Sequence, residues 1–384
     1  MENKLILKIA EIGRKNPSKP ILKDINIFEH YFDEQNKLKY DELSKLDGSL
    51  TRRELIVRFI LLNAVLDQGP DLEGVRKLLI NVVNELYKKE IRILHRPLDF
   101  FKELGISIDS ILRTHKSIKE IRSEIWAKEN NSNAERYNLF MDNTKQVLNY
   151  AVFRWGVPLC VPLLIEKDKK YNGNIHEYLE SFVSAEIMSR EIKDNERYGL
   201  GKAIGDKAGH LFAKWFVHSF KMTTKTDKNW GAFSYELPFD SNAGRVLFRT
   251  GIISDWVSIK ELIKYNVVQK GEGKGGKHYI RVTNLRGKKS EILGNDEKFF
   301  EKYKEVVTEQ LKTQSRPRTV QLQQVPNVLL LDSNYGIGDL DDGLIYIGTN
   351  FCFNHENPKC SECPIKNDCV GFTKNKELIT EYRT

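Results

Sequence analysis

The sequence predicts a mainly α-helical protein with a small inserted β-hairpin, and three observations support this prediction. Thr51 followed by Glu54 forms a capping-box pattern ahead of the apolar run Leu55–Leu66, which is typical of a helix start. The next segment, Leu72–Glu90, repeats apolar residues at helical spacing. Further along, the glycine-rich residues 271–276 separate two β-prone segments, which indicates a hairpin.

The chain opens with two apolar patches, Leu5–Ile12 and Ile21–Phe32, separated by a proline-containing breaker. We expect a short helix followed by a looser segment. Together they would form an N-terminal segment, residues 1–50, that packs on the C-terminal lobe.

Residues 91–192 continue with helical patterns and no internal repeat. Pro158 and Pro162 flank Cys160 in an apolar run and are expected to end or kink the helix there. Cys160 itself is expected to be a small buried hydrophobe. The predicted helical segments are Pro97–Leu104, Ile108–Trp126, Asn143–Leu164 and Ile175–Ile192.

Composition and charge narrow the class of protein. Hydrophobic residues make up 40% of the 384 residues and charged residues 30%, as in a folded globular chain and not a disordered one. The formal charge of +8 favours a polyanionic partner. The charged N-terminus does not resemble a secretory signal, and no run approaches the roughly 18 apolar residues of a membrane span. We therefore expect a cytoplasmic protein that does not bind membranes, with reduced thiols.

Four of the five cysteines lie close together near the C-terminus, in the spacing C-x7-C-x2-C-x5-C. In a reducing compartment such a cluster indicates a metal site more than disulfides. All-thiolate ligands suit zinc and iron–sulfur clusters alike, so the residues by themselves leave both open. The candidate ligands are Cys352, Cys360, Cys363 and Cys369.

This cysteine segment resembles the [4Fe-4S] loop that closes DNA glycosylases of the endonuclease III and adenine-mismatch glycosylase families, whose pattern is C-x6-C-x2-C-x5-C. The neighbouring residues Pro358, Lys359 and Pro364 resemble that loop too, and this chain has one additional residue between the first two cysteines. The resemblance implies a [4Fe-4S] cofactor, with zinc as the alternative. It also implies a two-lobed helix-hairpin-helix fold.

A second match lies at residues 198–215, where Gly199, Gly201 and Gly205 separate two helical patterns. Such a hairpin lets backbone N–H groups approach a phosphate; an ordinary turn between helices is the alternative. The segment resembles the helix-hairpin-helix of the same superfamily, G-x-G-x-K-x-A, but has Ala203 in place of its first glycine and Gly209 in place of its alanine. The resemblance implies DNA contacts by Gly201, Lys202 and Gly205, and a catalytic role for Lys207.

Two further positions are assigned through this resemblance. The stretch that begins at Leu237-Pro238-Phe239-Asp240 resembles the V-D-T-H-x-x-R-V segment of the superfamily, which implies that Asp240 is the catalytic carboxylate. A helix-capping aspartate is the alternative for this residue. The helix end at Gln68 resembles the one that carries a glutamine wedge, which fills the gap left by an extruded base.

The predicted β-hairpin is strongly basic. Residues 267–293 contain seven basic side chains and two acidic ones, so Lys274, Lys277 and Arg281 are candidate phosphate contacts. A solvated surface loop is the alternative. A separate glycine pair, Gly336 and Gly338, is followed by acidic residues and is interpreted as the turn before the helix that leads to Cys352.

The resemblance covers roughly residues 50–90, 185–250 and 325–372. It implies a monomeric DNA glycosylase that binds double-stranded DNA and excises a damaged or modified base, with or without Schiff-base lyase activity at abasic sites. A non-catalytic iron–sulfur or zinc DNA-binding protein is the alternative. DNA repair and defence against foreign DNA both remain open. The expected organisation is an N-terminal segment 1–50, a helical domain 51–250, a basic insertion 251–320 and a cluster lobe 321–384.

Overall fold

The computed structural model describes residues 4–67, 72–103, 105–130, 152–232, 234–238, 241–252, 268–273, 277–280, 330, 333–353 and 358–374. In these ranges the chain is mainly α-helical, which confirms that part of the predicted fold class. The chain divides into two compact units, one formed by residues 1–18 with 226–384 and the other by residues 19–225.

The helices of the described residues follow the apolar patterns of the sequence. They are α1 (Lys4–Lys15), α2 (Arg52–Leu66), α3 (Leu72–Lys88), α4 (Pro97–Glu103), α5 (Ile108–Thr114), α6 (Ile118–Asn130), α7 (Val152–Lys167), α8 (Ile175–Glu180), α9 (Ala185–Asp194), α10 (Asp206–Lys214), α11 (Ser241–Arg249), α12 (Ile337–Asn350) and α13 (Val370–Thr373). A π-helical turn, Trp215–Ser219, directly continues α10. The segment expected to be loosely structured forms 3₁₀ turns at Leu22–Asp24 and Asn26–Tyr31.

The strands form two small antiparallel pairs. Strand β1 (Leu46–Asp47) pairs with β2 (Leu50–Thr51) immediately before α2. Strand β3 (Val268–Gly273) pairs with β4 (Lys277–Ile280), with a register irregularity between Gln269 and Gly273. The predicted β-hairpin is therefore confirmed.

Two of the predicted helices are each divided in the structure. A short break separates α5 from α6, and Ser117 caps the new helix by accepting a hydrogen bond from Glu120 N–H (3.3 Å). Ser184 does the same for α9, accepting from Ile187 N–H (3.2 Å). The serine side chains satisfy N–H groups that a new helix leaves without partners, and this favours a helix start at these positions.

Helix α7 runs through both Pro158 and Pro162, so of the two expected effects, an end or a kink, the helix end is wrong. Each proline in a helix interior costs about 3 kcal/mol. All residues from 156 to 165 are buried, and each large apolar side chain that is buried contributes about 1.5–3 kcal/mol. Burial therefore outweighs the two prolines.

Cys160 is fully buried, as predicted, and burial raises the pKa of its thiol. No described helix has both the length and the apolar composition needed to cross a bilayer.

In the unit formed by residues 1–18 with 226–384, α1 packs on α12 with the two backbones in contact. A Cβ atom on Gly13 would lie 1.9 Å from the Asp339 carbonyl oxygen, and one on Gly343 would lie 2.0 Å from the Ile9 carbonyl oxygen. Arg14 adds an ion pair to the Asp339 carboxylate (2.9 Å). The first eighteen residues therefore belong with the C-terminal residues of the chain.

The observed division differs from the segments drawn from the sequence. Residues 19–50, expected to accompany α1, belong to the other unit. The helical domain expected to end at residue 250 corresponds to a unit that ends at residue 225. Residues just after this boundary contact the start of α12, where Ile337 N–H donates to the Ala232 carbonyl (3.5 Å). These groupings arise from packing between segments that are far apart in sequence.

In the unit formed by residues 19–225, Thr51 caps α2 as predicted, accepting from Glu54 N–H (3.2 Å). The Glu54 side chain, however, caps a different helix. It accepts hydrogen bonds from the N–H groups of Ile175 (3.0 Å) and His176 (2.8 Å) at the start of α8. It also accepts from Arg58 Nε (2.7 Å), and both side chains of this ion pair are buried. The capping-box pattern therefore predicts the helix start but not the partners of its glutamate.

We expect Glu54→Ala to destabilise this unit strongly, because it would remove the counter-charge of the buried Arg58 and the acceptor of two N–H groups at the start of α8. Removing one member of a buried ion pair costs about 3–5 kcal/mol. Glu54→Gln, which keeps an acceptor oxygen, should cost less. Urea unfolding of both variants measures this difference. Glu29→Gln, at an exposed position, is the matched control and should change stability by less than about 0.5 kcal/mol. Equal stability of Glu54→Ala and the control would contradict the assignment.

Candidate functional site

The four candidate metal ligands line one pocket. Helix α12 ends at Asn350, and Cys352 follows with its N–H donating to the Ile347 carbonyl (2.9 Å). The other lining residues are mostly apolar, and the complete set is Val246, Arg249, Thr250, Ile347, Phe351, Cys352, Cys360, Cys363, Ile365, Lys366, Cys369 and Phe372. The structure thus brings together thiols that are separated by up to seventeen positions in the sequence.

Successive turns shape the loop between the last three cysteines. Cys363 N–H donates to the Cys360 carbonyl (3.3 Å), Lys366 N–H donates to the Cys363 carbonyl (3.1 Å), and Cys369 N–H donates to the Lys366 carbonyl (3.3 Å). The Ile365 side chain anchors this loop to the protein interior, since only 1% of the Ile365 surface is exposed. Within the described residues no three His, Cys, Asp or Glu side chains are arranged closely enough to hold a metal ion. The candidate site is therefore identified from the residues that line the pocket.

Helix α11 forms one wall of the pocket through Arg249. This side chain is 1% exposed, and its Nη1 lies 3.4 Å from the Cys352 sulfur and 2.9 Å from the Phe353 carbonyl oxygen. Its Nε and Nη2 have no hydrogen-bond partner among the described residues. A buried guanidinium with spare donors beside four cysteines fits a negatively charged, thiolate-ligated group, because such a group would supply the missing acceptors and the counter-charge.

Two more contacts attach the cysteine loop to α11. Arg245, one turn before Arg249, donates to the carbonyl oxygens of Cys352 and Gly348. Val370 N–H donates to the Thr250 carbonyl (3.3 Å). The end of α11 and the cysteine loop are therefore one hydrogen-bonded assembly.

Burial raises the pKa of two thiols in the pocket. It raises the pKa of Cys363 to about 11, with smaller contributions from the other three cysteines, and it also raises the pKa of Cys369. At neutral pH both thiols are protonated in the absence of a metal. Cysteine binds metals as the thiolate, so a metal bound here would have to displace these protons, and its binding would become more favourable as pH rises. Four thiols, an apolar lining and Arg249 fit a [4Fe-4S] cluster and also a zinc ion.

The glycine hairpin lies in the other unit, between α9 and α10. A 3₁₀ turn, Gly201–Ala203, forms its centre, and Gly201 has a positive φ of 56°. Gly205 immediately precedes α10 and is exposed. A Cβ atom on Gly205 would have no neighbour within 4 Å. The backbone at the start of α10 is therefore open to a ligand.

Gly209 explains a departure from the superfamily pattern, which has alanine at that position. A Cβ atom there would lie 2.6 Å from the Ser189 carbonyl oxygen on α9. Helices α9 and α10 therefore approach so closely that only glycine fits. The other departure, Ala203, is fully buried inside the hairpin turn.

The remaining predicted site residues are placed only in part. Lys207 lies in the first turn of α10 and is half-buried. Lys202 lies in the 3₁₀ turn and Lys277 begins β4, and their side chains lie outside the described part of the structure. The predicted residues that lie entirely outside it are Gln68, Asp240, Lys274 and Arg281.

Sequence reasoning assigned no role to Arg249, although it lies in the segment that resembles the superfamily. One signal was available, because Arg245 and Arg249 are four residues apart and thus share one face of a helix. The direction of that face is decided by packing against the cysteine loop.

Comparison of the chain with protein-family models, with curated proteins and with solved structures found no match in any of the three.

Two glycine substitutions should separate packing from ligand access in the hairpin. We expect Gly209→Ala to lower the free energy of unfolding by about 1–3 kcal/mol, because the methyl group overpacks the contact with α9. Gly205→Ala should change stability by less than about 0.5 kcal/mol. It should weaken the DNA binding predicted from the sequence, since its methyl group obstructs the open backbone. Thermal unfolding and a duplex binding titration measure the two effects. Destabilisation by Gly205→Ala equal to that by Gly209→Ala would contradict this assignment.

Proposed function

We propose that this protein is a DNA glycosylase that excises a damaged or modified base. The observation that carries the proposal is the attachment of the cysteine pocket to α11 through Arg249 and Arg245. In the sequence, Asp240 immediately precedes α11. A metal group in the pocket would therefore stiffen the helix that follows the candidate catalytic carboxylate.

The glycine hairpin supports the same proposal. Backbone N–H groups at the start of a helix bind phosphate well, because they lack helical partners and carry the positive end of the helix dipole. The exposed Gly205 leaves that approach open. Lys207, in the same helical turn, brings an amine close to a phosphate held there. DNA is the ligand that the net charge of +8 also favours.

The proposed reaction begins with extrusion of the target base from the duplex, which costs a few kcal/mol of stacking and pairing. The bond between C1′ and the base nitrogen then breaks, and its electron pair leaves with the base. The Asp240 carboxylate stabilises the positive charge that develops on the sugar, as carboxylates do in sugar hydrolysis. Water or an amine attacks C1′ to complete the substitution.

Lys207 is the proposed amine for a combined glycosylase and lyase. Its neutral Nζ would attack C1′, lose a proton and form a Schiff base as the sugar ring opens. Loss of a proton from C2′ to a base, with breakage of the C3′–O bond, would then eliminate the 3′ phosphate and cut the strand. This step requires a deprotonated amine. If Lys207 only contacts phosphate, water is the nucleophile and base release occurs without strand cleavage.

A [4Fe-4S] cluster is the proposed cofactor, held by Cys352, Cys360, Cys363 and Cys369. In the proposed mechanism it supplies structure: it holds the cysteine loop, whose Lys359 and Lys366 can meet the DNA backbone. Zinc bound by the same thiolates would serve the same structural role. The protein with zinc and the protein with the cluster would differ in colour and in iron content. Neither acts on the sugar or the base.

Borohydride trapping on a duplex with one abasic site tests the proposed chemistry without knowledge of the target base. We expect a covalent protein–DNA adduct with the wild-type protein and none with Lys207→Ala, because reduction fixes a Schiff base to lysine. Asp240→Asn should retain duplex binding and lose base release on panels of damaged and modified DNA. The matched control is Lys170→Ala, at an exposed position in the same unit, which should trap like the wild type.

Several outcomes would change the proposal. Trapping that persists in Lys207→Ala would remove the catalytic role of this lysine. No adduct with wild type, together with base release that depends on Asp240, would indicate a glycosylase without lyase activity. Duplex binding with neither activity would favour the non-catalytic DNA-binding protein.

Cysteine substitutions test the metal centre. We expect Cys363→Ser to lower bound metal and to reduce thermal stability and duplex binding, because it removes a thiolate ligand from the loop. Cys160→Ser should leave the metal content per folded protein unchanged, since Cys160 is buried in α7 in the other unit. Metal analysis and the visible absorption spectrum measure both. A full metal content in the variants at each of the four loop positions would contradict the proposed site.

A further inference from the structure

Helix α6 lies in residues 91–185, which the superfamily resemblance does not cover, yet it contacts the hairpin directly. Ile118 N–H donates to the Arg197 carbonyl (2.7 Å). One turn further along α6, Arg122 Nη1 donates to the Leu200 carbonyl (3.2 Å). These two bonds attach the additional helix to the segment between α9 and the glycine turn.

The hairpin backbone leaves room for the Arg122 guanidinium. A Cβ atom on Gly201 would lie 1.9 Å from Arg122 Nη1 and 3.0 Å from its Cζ. Gly201 also has a positive φ, which side-chain-bearing residues rarely adopt. Glycine at this position therefore serves two purposes: it permits the turn and it admits the guanidinium against the backbone.

Arg122 carries a charge that the described residues do not neutralise. Its guanidinium is half-buried, and burial lowers its pKa with no opposing contribution from a carboxylate. The nearby Arg197 differs, because it forms an ion pair with Asp168 that raises its pKa. A partly buried cation is costly without a counter-charge. Among the described residues, therefore, no carboxylate supplies a counter-charge to Arg122 beside Gly201.

We propose that Arg122 binds a backbone phosphate of duplex DNA at the hairpin. Arginine has five N–H donors in a fixed fork that matches two phosphate oxygens. The contact with the Leu200 carbonyl uses one of them, so donors remain for a phosphate. The hairpin backbone, open at Gly205, and the Arg122 guanidinium would then hold the same DNA strand. This inference rests on the proposed DNA-binding function and adds a phosphate contact that comes from outside the helix-hairpin-helix motif.

The salt dependence of duplex binding tests this inference, because each phosphate contact contributes about 0.9 to the slope of log Kobs against log [salt]. We expect Arg122→Gln to reduce the magnitude of the slope by about one and to weaken binding equally for unrelated sequences. Arg122→Lys keeps the charge and should keep most of the slope. Lys119→Gln removes an exposed charge from the same helix and is the matched control, expected to retain the wild-type slope.

Thermal unfolding is measured for every variant, so that loss of folding is distinguished from loss of a contact. An unchanged slope for Arg122→Gln, with binding by wild type intact, would overturn the phosphate contact and leave the proposed glycosylase untouched. An equal decrease for Lys119→Gln would overturn it as well. Absence of duplex binding by wild type would overturn both proposals. A reduced slope in a protein without base release would support this contact while the glycosylase proposal fails.

Discussion

Close contact between helix backbones, made possible by glycine, is the constraint on which both units depend. In one unit, Gly13 and Gly343 let α1 and α12 touch without side chains between them. In the other, Gly209 lets α10 approach the carbonyl of Ser189 on α9. Each contact positions an element of the proposed site, since α12 leads to Cys352 and α10 directly follows the glycine hairpin. Overpacking such a contact displaces backbone, which cannot adjust as a side chain can.

Two kinds of setting for buried or partly buried charges can be contrasted among the described residues. Glu54 with Arg58 and Asp67 with Arg76 are paired inside the helical unit, and they hold helices together. Arg249 is buried and has donors without a partner among the described residues. Arg122 is half-buried and has no counter-charge among them; both lie near a proposed ligand. Because an unpaired buried cation is costly, the second kind of setting indicates where a ligand would add most to stability.

The cysteine loop shows why a metal would matter for folding. Among its described residues 358–374, only Ile365 and Gly371 are buried, so apolar burial contributes little to holding it in place. Its backbone turns and the contacts with Arg249 and Thr250 hold it in place, and a metal bound to its thiols would add stability to such a short segment. If the proposed metal is bound, its loss should loosen the wall that this loop shares with α11.

The sequence by itself determined the local features: the helical fold class, the cap at Thr51, the basic hairpin and the cysteine spacing. These follow from periodicity and from neighbours within a few residues. Tertiary structure decided the partners, because they are distant in sequence: Glu54 caps a helix 121 positions away, and Arg249 reaches a sulfur 103 positions away. It also decided that α7 continues through its prolines, since burial of the surrounding residues outweighs the local preference. A sequence pattern encodes what each residue prefers, and only packing decides which distant group satisfies it.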